Sequence, residues 1–252
     1  EVQGSKVVIA AIDGPPALEI ADIADAAGLR LTAMNVSTLA LTNALRESGV
    51  WKTEEEPTVG IVDIGRNTTD VAILHEGFPI FARSLPLGLD KFYLSIHPET
   101  EGLPGEDAIR EIEGLLEARD SDESTQAAQA WARRLHQEIK RTHDFAQREF
   151  ECGRLQRLYL SGRGARLLSL SASISRQIDA PVETLDPFGE KLALDESLAE
   201  RRAELTIPAG EILADFSNRP ASVNLLPRDY VRREARSKSR QKLIVTAALV
   251  IG

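Results

Sequence analysis

The alternation of apolar and polar positions along the chain predicts a mixed α/β protein. Apolar residues recur at helical spacing in some segments, whereas others are short apolar or alternating runs typical of strands. Helices are predicted at 15–28, 38–49 (capped by Ser37), 106–118, 126–150, 161–178 and 208–216. Strands are predicted at 6–13, 29–37, 58–65, 68–88 (a hairpin turning at 75–77), 154–160 and 180–186. The pattern therefore favours a sheet covered by helices.

The charge changes abruptly near the C-terminus. Arg228–Lys242 contains seven Lys or Arg and two acids, a net charge of +5. Because the whole chain has a net charge of −9, the rest of it has a net charge of −14. An acidic body argues against a nucleic-acid surface. Residues 242–252 are predicted to begin a transmembrane helix, because positive charges precede an apolar run on the cytoplasmic side of a membrane. The alternative is a C-terminal amphipathic helix packed on the body.

The segment IVDIGRNTTD places polar residues between two predicted strands. Asp63 ends a buried strand, Gly65 allows a tight turn, and Asn67, Thr68 and Thr69 lead into the next strand. Backbone N–H groups and hydroxyls in such a turn can surround a phosphate, while the carboxylate holds Mg²⁺ through water. The pattern alone also fits a β-hairpin with a polar turn.

A second corner, LYLSGRGARL, runs from a strand directly into a predicted helix. Gly162 and Gly164 let the backbone approach a ligand closely, with Arg163 between them. Alone, the pattern also fits a simple strand-to-helix turn. The two corners together, separated by a long helix, are more specific than either one.

This order resembles the second half of the actin-like ATPases, and more narrowly the PilM family of type IV pilus assembly proteins, relatives of FtsA. The similarity lies in VVIAAIDGPPALEIADIADAAGLRLTAMNVSTLALTNAL, in VDIGRNTTDVAILHEGFPIFARSLPLG and in LYLSGRGARLLSLSASISRQIDAPVETLDPF. It implies a partial actin-like (ribonuclease H-like) α/β fold that binds ATP and Mg²⁺. It also implies that Glu138 and Arg141 reach the nucleotide, although both also suit a solvated, salt-bridged helix face.

The NLLP motif is similar to the start of PilN, the partner of PilM in pilus systems. There, a short Asn-Leu-Leu-Pro peptide precedes a basic stretch and a membrane helix. The resemblance makes Asn224, Leu225, Leu226 and Pro227 the partner-binding residues and suggests a PilM–PilN fusion. An unrelated apolar tetrapeptide in a linker is the alternative. Because the linker is short, we expect the peptide to dock on a neighbouring copy and form a homo-oligomer.

The resemblance divides the chain into four segments. Residues 1–50 would be the end of the inserted subdomain with part of the first lobe, 51–217 the second lobe, 218–241 the PilN-like peptide and basic stretch, and 242–252 the start of the membrane helix. The chain departs from the family in three ways: we expect it to begin after the first phosphate loop, it has Arg163 where the family prefers Gly, and it lacks the second glycine after Gly88.

These observations predict a nucleotide-binding scaffold and not an enzyme, with at most weak ATPase activity. The expected site is the cytoplasmic face of the bacterial inner membrane, with a single-pass anchor and partners of the PilN/PilO type. Two alternatives stay open: a GspL-like platform protein of type II secretion, and a sugar-kinase-type phosphotransferase.

Overall fold

The computed structural model describes residues 9–96, 122–189, 201–217 and 220–231, with single positions at 102, 105, 107, 109, 110, 113, 114, 195 and 198. The chain forms two compact units. The smaller combines Glu1–Val36 with Ser222–Gly252, and the larger is Ser37–Ala221. Residues 1–50 were grouped together in the sequence prediction, but Ser37 and the helix that follows it lie in the larger unit.

The larger unit is built on a five-stranded mixed sheet in the order β3-β2-β1-β4-β5. The first three strands are an antiparallel meander, while β4 is parallel to β1 and β5 is parallel to β4. The meander was predicted from the alternation of the sequence and is confirmed. The strands are β1 (Thr58–Ile64), β2 (Thr69–His75), β3 (Phe78–Leu85), β4 (Arg157–Ser161) and β5 (Val182–Thr184).

Helices accompany these strands in the larger unit, and one helix lies in the smaller unit. In chain order the described helices are α1 (Gly14–Ala26), α2 (Ser37–Ser48), α3 (Leu89–Ile96), α4 (Asp122–Phe150), α5 (Leu168–Ser175) and α6 (Thr206–Ala214). Short 3-10 turns lie at Arg163–Arg166 and Arg202–Leu205. The helix predicted to open directly at the glycine corner therefore begins later, after a 3-10 turn. Ser37 is the first residue of α2 and donates its hydroxyl to Asp70 Oδ2 at 2.6 Å, so its side chain links the start of this helix to β2. The predicted capping role of Ser37 stays a prediction.

The two faces of the sheet are buried in separate clusters because successive side chains of a strand point to opposite sides. Val62 and Ile64 pack into the cluster that contains α4, with Trp131, Leu135 and Ile139. The helical spacing of these α4 residues predicted that buried stripe. On the opposite face, a second cluster consists of residues of α2, the sheet and their neighbours: Leu41, Leu45, Trp51, Val59, Ile61, Ala72, Leu74, Tyr159 and Leu185.

The β2–β3 hairpin turns through two residues with left-handed backbone conformations. Glu76 has φ 49° and Gly77 has φ 88°. A two-residue loop with both φ values positive matches the right-handed twist of the flanking strands. The turn predicted at 75–77 is therefore confirmed.

In the smaller unit, α1 begins with Pro at its first positions and is followed by Gly28 at φ 70°. The strand predicted at 29–37 is wrong: 29–36 contain no strand, and α2 begins at Ser37. The strand predicted at 6–13 is not formed over 9–13, and its first part lies outside the described residues. Apolar residues in 29–36 pack against α1 and the C-terminal peptide, so burial there does not require a strand ladder.

The predicted start of a membrane helix at 242–252 lies outside the described residues, as does most of the helix predicted at 106–118. Within the described part of the chain, none of the helices has the length and apolar character of a membrane span.

Helices α2 and α6 approach each other closely at Gly210. A Cβ atom at this position would lie 1.8 Å from the carbonyl oxygen of Ala40, which no relaxed structure allows. Because this oxygen belongs to a helix backbone, the two helices would have to separate.

We expect Gly210→Ala to lower the free energy of unfolding of the larger unit by roughly 1–3 kcal/mol or more, because it overpacks the contact. Gly153→Ala is the matched control, since its Cβ would meet only Thr58 Oγ1 at an ordinary 3.7 Å. Urea denaturation of both variants measures the difference. Equal midpoints for the two variants would contradict the close approach.

Candidate functional site

The first candidate site lies where the parallel strands β1 and β4 end side by side. Asp63 is in register with Ser161, and the Ser161 hydroxyl donates a hydrogen bond to Asp63 Oδ1 at 2.6 Å. The chain then turns at Gly162, which has φ 78°. The carboxyl ends of parallel strands are the usual place for ligands in α/β proteins.

The glycines of the second corner allow the chain that follows β4 to pass close to the end of β1, because they have no side chains. A Cβ at Gly162 would lie 2.7 Å from the Ile64 carbonyl oxygen and 3.0 Å from Asp63 Oδ1. One at Gly164 would lie 2.3 Å from Ile64 Cγ2. Both glycines therefore have a structural reason to be glycine, and the two predicted corners meet as the sequence suggested.

The environment of Asp63 favours its neutral form. Desolvation by burial raises the pKa of this carboxyl above its ordinary value, the hydrogen bond from Ser161 opposes that rise, and the negative charge of Asp70 adds to it. A half-buried carboxylate that has lost part of its hydration gains energy when a cation approaches. Asp63 is thus suited to face a cation.

The β1–β2 loop combines exposed and buried side chains. Gly65 N–H donates to the Thr68 carbonyl at 3.0 Å, which closes the turn, and the side chains of Asn67 and Thr68 are exposed. The Thr69 side chain is fully buried, and its hydroxyl donates to the Leu87 carbonyl. Of the predicted phosphate-contacting residues, Asn67 and Thr68 can meet a ligand without rearrangement, whereas Thr69 stabilises the loop.

The start of α3 holds the same loop from behind. Leu89 N–H donates to the Gly65 carbonyl at 3.1 Å, and Asp90 N–H donates to the Arg66 carbonyl at 2.9 Å. A Cβ at Gly88 would lie 2.2 Å from that Arg66 oxygen. This close approach requires glycine at position 88. The contact needs no further glycine, so the absence of the family's second glycine after Gly88 does not affect it.

Arg163 does not project freely from the second corner. Its guanidinium forms two hydrogen bonds with Glu113, from Nε to Oε1 at 2.6 Å and from Nη2 to Oε2 at 2.9 Å. Tyr93 also donates its hydroxyl to Glu113 Oε1 at 2.6 Å. The hydrogen bonds that Arg163 donates to Glu113 raise the pKa of its guanidinium, and burial raises the pKa of the Tyr93 hydroxyl. Sequence analysis missed Glu113 and Tyr93, because no spacing pattern links them to Arg163.

Glu138 and Arg141 form the ion pair that the alternative interpretation predicted. Arg141 Nη1 donates to Glu138 Oε1 at 2.6 Å, and Arg83 Nη2 donates to Glu138 Oε2 at 2.7 Å. Arg83 belongs to β3, the edge strand, and not to β1. The Glu138 side chain therefore connects α4 to the edge strand through Arg83. Its predicted contact with the nucleotide stays a prediction.

The second candidate site is the smaller unit, where the NLLP peptide binds. Leu225 N–H donates to the Met34 carbonyl at 2.8 Å, and Asn224 Oδ1 accepts from Met34 N–H at 3.3 Å. Val223 N–H donates to Asn35 Oδ1 at 3.2 Å. Leu226 is buried among Ala21, Leu31 and Met34. The peptide is thus bound as an added extended segment, with backbone hydrogen bonds beside one apolar anchor.

This arrangement corrects the expectation that the linker is too short for docking on the same chain. The residues that contact the peptide belong to 17–36, in the same compact unit as Ser222–Gly252. The error was to assume that the peptide had to cross a lobe. The homo-oligomer inferred from that assumption has no support in the described contacts.

Comparison with known families identifies the chain. The profile of a family described as type IV pilus assembly protein PilM matches residues 4–210, well over half of the sequence. The chain belongs to the PilM family. Membership favours the pilus over the GspL-like and sugar-kinase alternatives. The match ends before Asn224, so it does not bear on the fusion to a PilN-like segment. No curated protein matches the sequence.

Solved structures confirm the actin-like ATPase fold. A PilM–PilN type IV pilus biogenesis complex aligns with a TM-score of 0.61 at 22% identity, covering 77% of this chain and 55% of that one. EutJ, an ethanolamine utilization protein from Carboxydothermus hydrogenoformans, aligns with a TM-score of 0.57 at 20% identity. This alignment covers 80% of this chain and 62% of EutJ. MreB 5 of Spiroplasma citri bound to AMPPNP aligns with a TM-score of 0.54 at 13% identity. This alignment covers 81% of this chain and 65% of MreB 5. This PilM-family chain thus spans about 55–65% of the length of these structures.

The residues at the β1–β4 edge fit one mode of Mg²⁺ binding. Among the described residues there is no cluster of three or more His, Cys, Asp or Glu side chains that could hold a metal ion alone. Mg²⁺ is commonly bound by one or two carboxylates together with substrate phosphates and water. The carboxylate of Asp63, desolvated by burial, suits that mode.

We expect Asp63→Asn to raise the free energy of unfolding at about pH 7, because it removes a charge that is desolvated only in the folded state. The raised pKa means that the contribution of Asp63 to stability is present at low pH and is lost as the pH rises through the folded pKa. The advantage of the variant should therefore shrink as the pH falls. Urea denaturation across this pH range measures it.

Asp144→Asn is a control of opposite sign. The hydrogen bond from Lys140 lowers the pKa of Asp144, so its removal should slightly destabilise the protein at neutral pH. A loss of stability for Asp63→Asn at neutral pH would contradict the proposed environment of Asp63.

Proposed function

We propose that this chain is the actin-like, nucleotide-binding scaffold of the inner-membrane platform for type IV pilus assembly, and that it carries its own PilN-type segment. The observation that supports this most is the NLLP peptide. Its Asn224 side chain and Leu225 backbone hydrogen-bond to the residues around Met34. A PilM-family body and a peptide of PilN type on one chain together suggest a fused pair.

ATP is the proposed ligand of the β1–β4 edge. The proposal is supported by the exposed side chains of Asn67 and Thr68, the close approach of Gly162 and the desolvated carboxylate of Asp63. MreB 5, a structural neighbour, is described as bound to AMPPNP. Bound Mg²⁺ would supply positive charge to the phosphates, with Asp63 holding it through water. Asp63 has no general-base partner in this proposal, which assigns binding and at most weak hydrolysis.

The proposed location is the cytoplasmic face of the bacterial inner membrane, with PilN/PilO-type proteins as partners. Support comes from the sequence alone: the +5 charge of Arg228–Lys242 precedes an apolar run. Each Lys or Arg close to an anionic leaflet contributes about 1 kcal/mol. Together with a complete span, these charges would set the orientation of a single-pass anchor.

We expect Asp63→Ala to weaken Mg²⁺-dependent ATP binding by the full-length protein about tenfold or more, because the cation would lose its only carboxylate. Isothermal titration calorimetry with and without Mg²⁺ measures this, and Asp144→Ala is the control for a removed acidic side chain on the same unit. Equal ATP affinity of Asp63→Ala and the parent would rule out the assigned role of Asp63.

The topology has its own test. Reporter proteins inserted after residue 230, with the rest of the full-length chain following, should be active when they require the cytoplasm and inactive when they require export. Replacing the Lys and Arg residues of 232–242 with Gln should reduce that preference. The matched control replaces basic residues of the body, Arg133 and Arg134. A reporter that is active only outside the cytoplasm would refute the proposed orientation.

A further inference from the structure

The C-terminal peptide continues beyond Pro227 as a helical turn. Residues 228–231 are helical, and Val231 N–H donates to the Pro227 carbonyl at 3.2 Å. Pro227 directly precedes this turn, where a backbone N–H would have no intrahelical partner, so its missing N–H costs nothing. Leu226 and Tyr230 are therefore one turn apart and lie on the same side of the chain.

Tyr230 is buried as deeply as the main apolar anchor of the NLLP motif. Its side chain is 3% exposed, compared with 9% for Leu226. Both pack with Ala21 of α1, and Leu31 and Met34 complete the cluster. By contrast, Arg228, Asp229 and Val231 are exposed. Tyr230 is thus the side chain of the turn that faces the smaller unit.

The tyrosine hydroxyl has a specific partner. Tyr230 Oη donates to Asp25 Oδ1 at 3.0 Å. Asp25 is four residues after Ala21 on α1, so the two residues lie on the same helix face. Ala21 is fully buried, and its small side chain leaves room for the ring, while the carboxylate lies at the hydroxyl end.

We infer that the smaller unit recognises a longer sequence than Asn-Leu-Leu-Pro, namely Asn-x-Leu-Pro-x-x-Tyr, with Ala21 and Asp25 forming a subsite for the tyrosine. Asp25 selects tyrosine over phenylalanine, because only the hydroxyl can donate to its carboxylate. This inference rests on the proposed function in taking 222–231 as a PilN-type peptide. It adds the residues that decide which peptides of that type fit.

Hydrogen exchange of the full chain, resolved to single amides, tests the subsite. The Leu225 N–H is the reporter, because it is bonded to Met34 only while the peptide is docked. We expect Tyr230→Ala to lower its protection about ten- to a hundredfold, through loss of the buried ring. Tyr230→Phe should lower it about three- to tenfold, through loss of one hydrogen bond to a partly exposed carboxylate. Ser222→Ala, at an exposed position of the peptide, should leave it unchanged.

A double-variant cycle assigns the hydroxyl to Asp25. Asp25→Ala should lower Leu225 protection about as much as Tyr230→Phe, and the double variant should lose little more than either single one, because both remove the same bond. Asp22→Ala removes an exposed acid from the same helix and is the matched control. Independent, multiplying effects of Asp25→Ala and Tyr230→Phe would overturn the pairing.

The outcomes separate this inference from the proposed function. A parent chain in which Leu225 exchanges as fast as in an unstructured peptide would contradict docking on the same chain, and with it the fused-partner proposal. A protected Leu225 that is insensitive to Tyr230→Ala and Tyr230→Phe would overturn only the tyrosine subsite. ATP titration reports on Ser37–Ala221 and is independent of both results.

Discussion

The parallel pairing of β1 with β4 is the constraint on which the larger unit depends. It joins segments 98 residues apart in the sequence, as the hydrogen bond between Ser161 and Asp63 shows. Parallel strands end at the same edge, so the turn after β1 and the glycine corner after β4 necessarily meet there. The approach is close enough that neither Gly162 nor Gly164 has room for a side chain. Topology and glycine placement thus produce the candidate nucleotide site together.

Asp63 and Arg163 differ in the partners that the described residues give them at this edge. Asp63 is desolvated and its pKa is raised, which costs stability in the absence of a cation. Arg163, in contrast, already forms two hydrogen bonds with Glu113. For Arg163 to contact a nucleotide, Glu113 would lose its ion pair and keep the hydrogen bond from Tyr93. Removing the cation from a largely buried carboxylate is expensive. The arginine at a position where the family prefers glycine therefore has a local structural explanation, its ion pair with Glu113.

Features that depend on local periodicity could be predicted from the sequence. The predictions failed where residues distant in the sequence determine the structure. Strand alternation located β1, β2 and β3, and helical spacing located the buried face of α4. Both patterns are read within a few residues. The pairs Arg163–Glu113 and Arg83–Glu138 could not be found in this way, because each joins residues that are far apart in the sequence. The strand predicted at 29–37 failed for a related reason: its apolar residues are buried by α1 and by a peptide almost 200 residues away, without a ladder.

The attachment of the peptide explains how so small a contact can hold it. Ala221 immediately precedes the peptide, and its N–H and carbonyl are bonded to the Asn43 side chain at 2.8 and 2.9 Å. Asn43 is 1% exposed, so this clamp is shielded from water. A ligand joined by a short segment has an effective concentration on the order of millimolar. One buried leucine, one buried tyrosine and a few hydrogen bonds then suffice for occupancy, although the same peptide on a separate molecule would need a much higher affinity. Docking on the same chain therefore relaxes the requirement for tight binding, because the chain itself supplies the segment that fills the site.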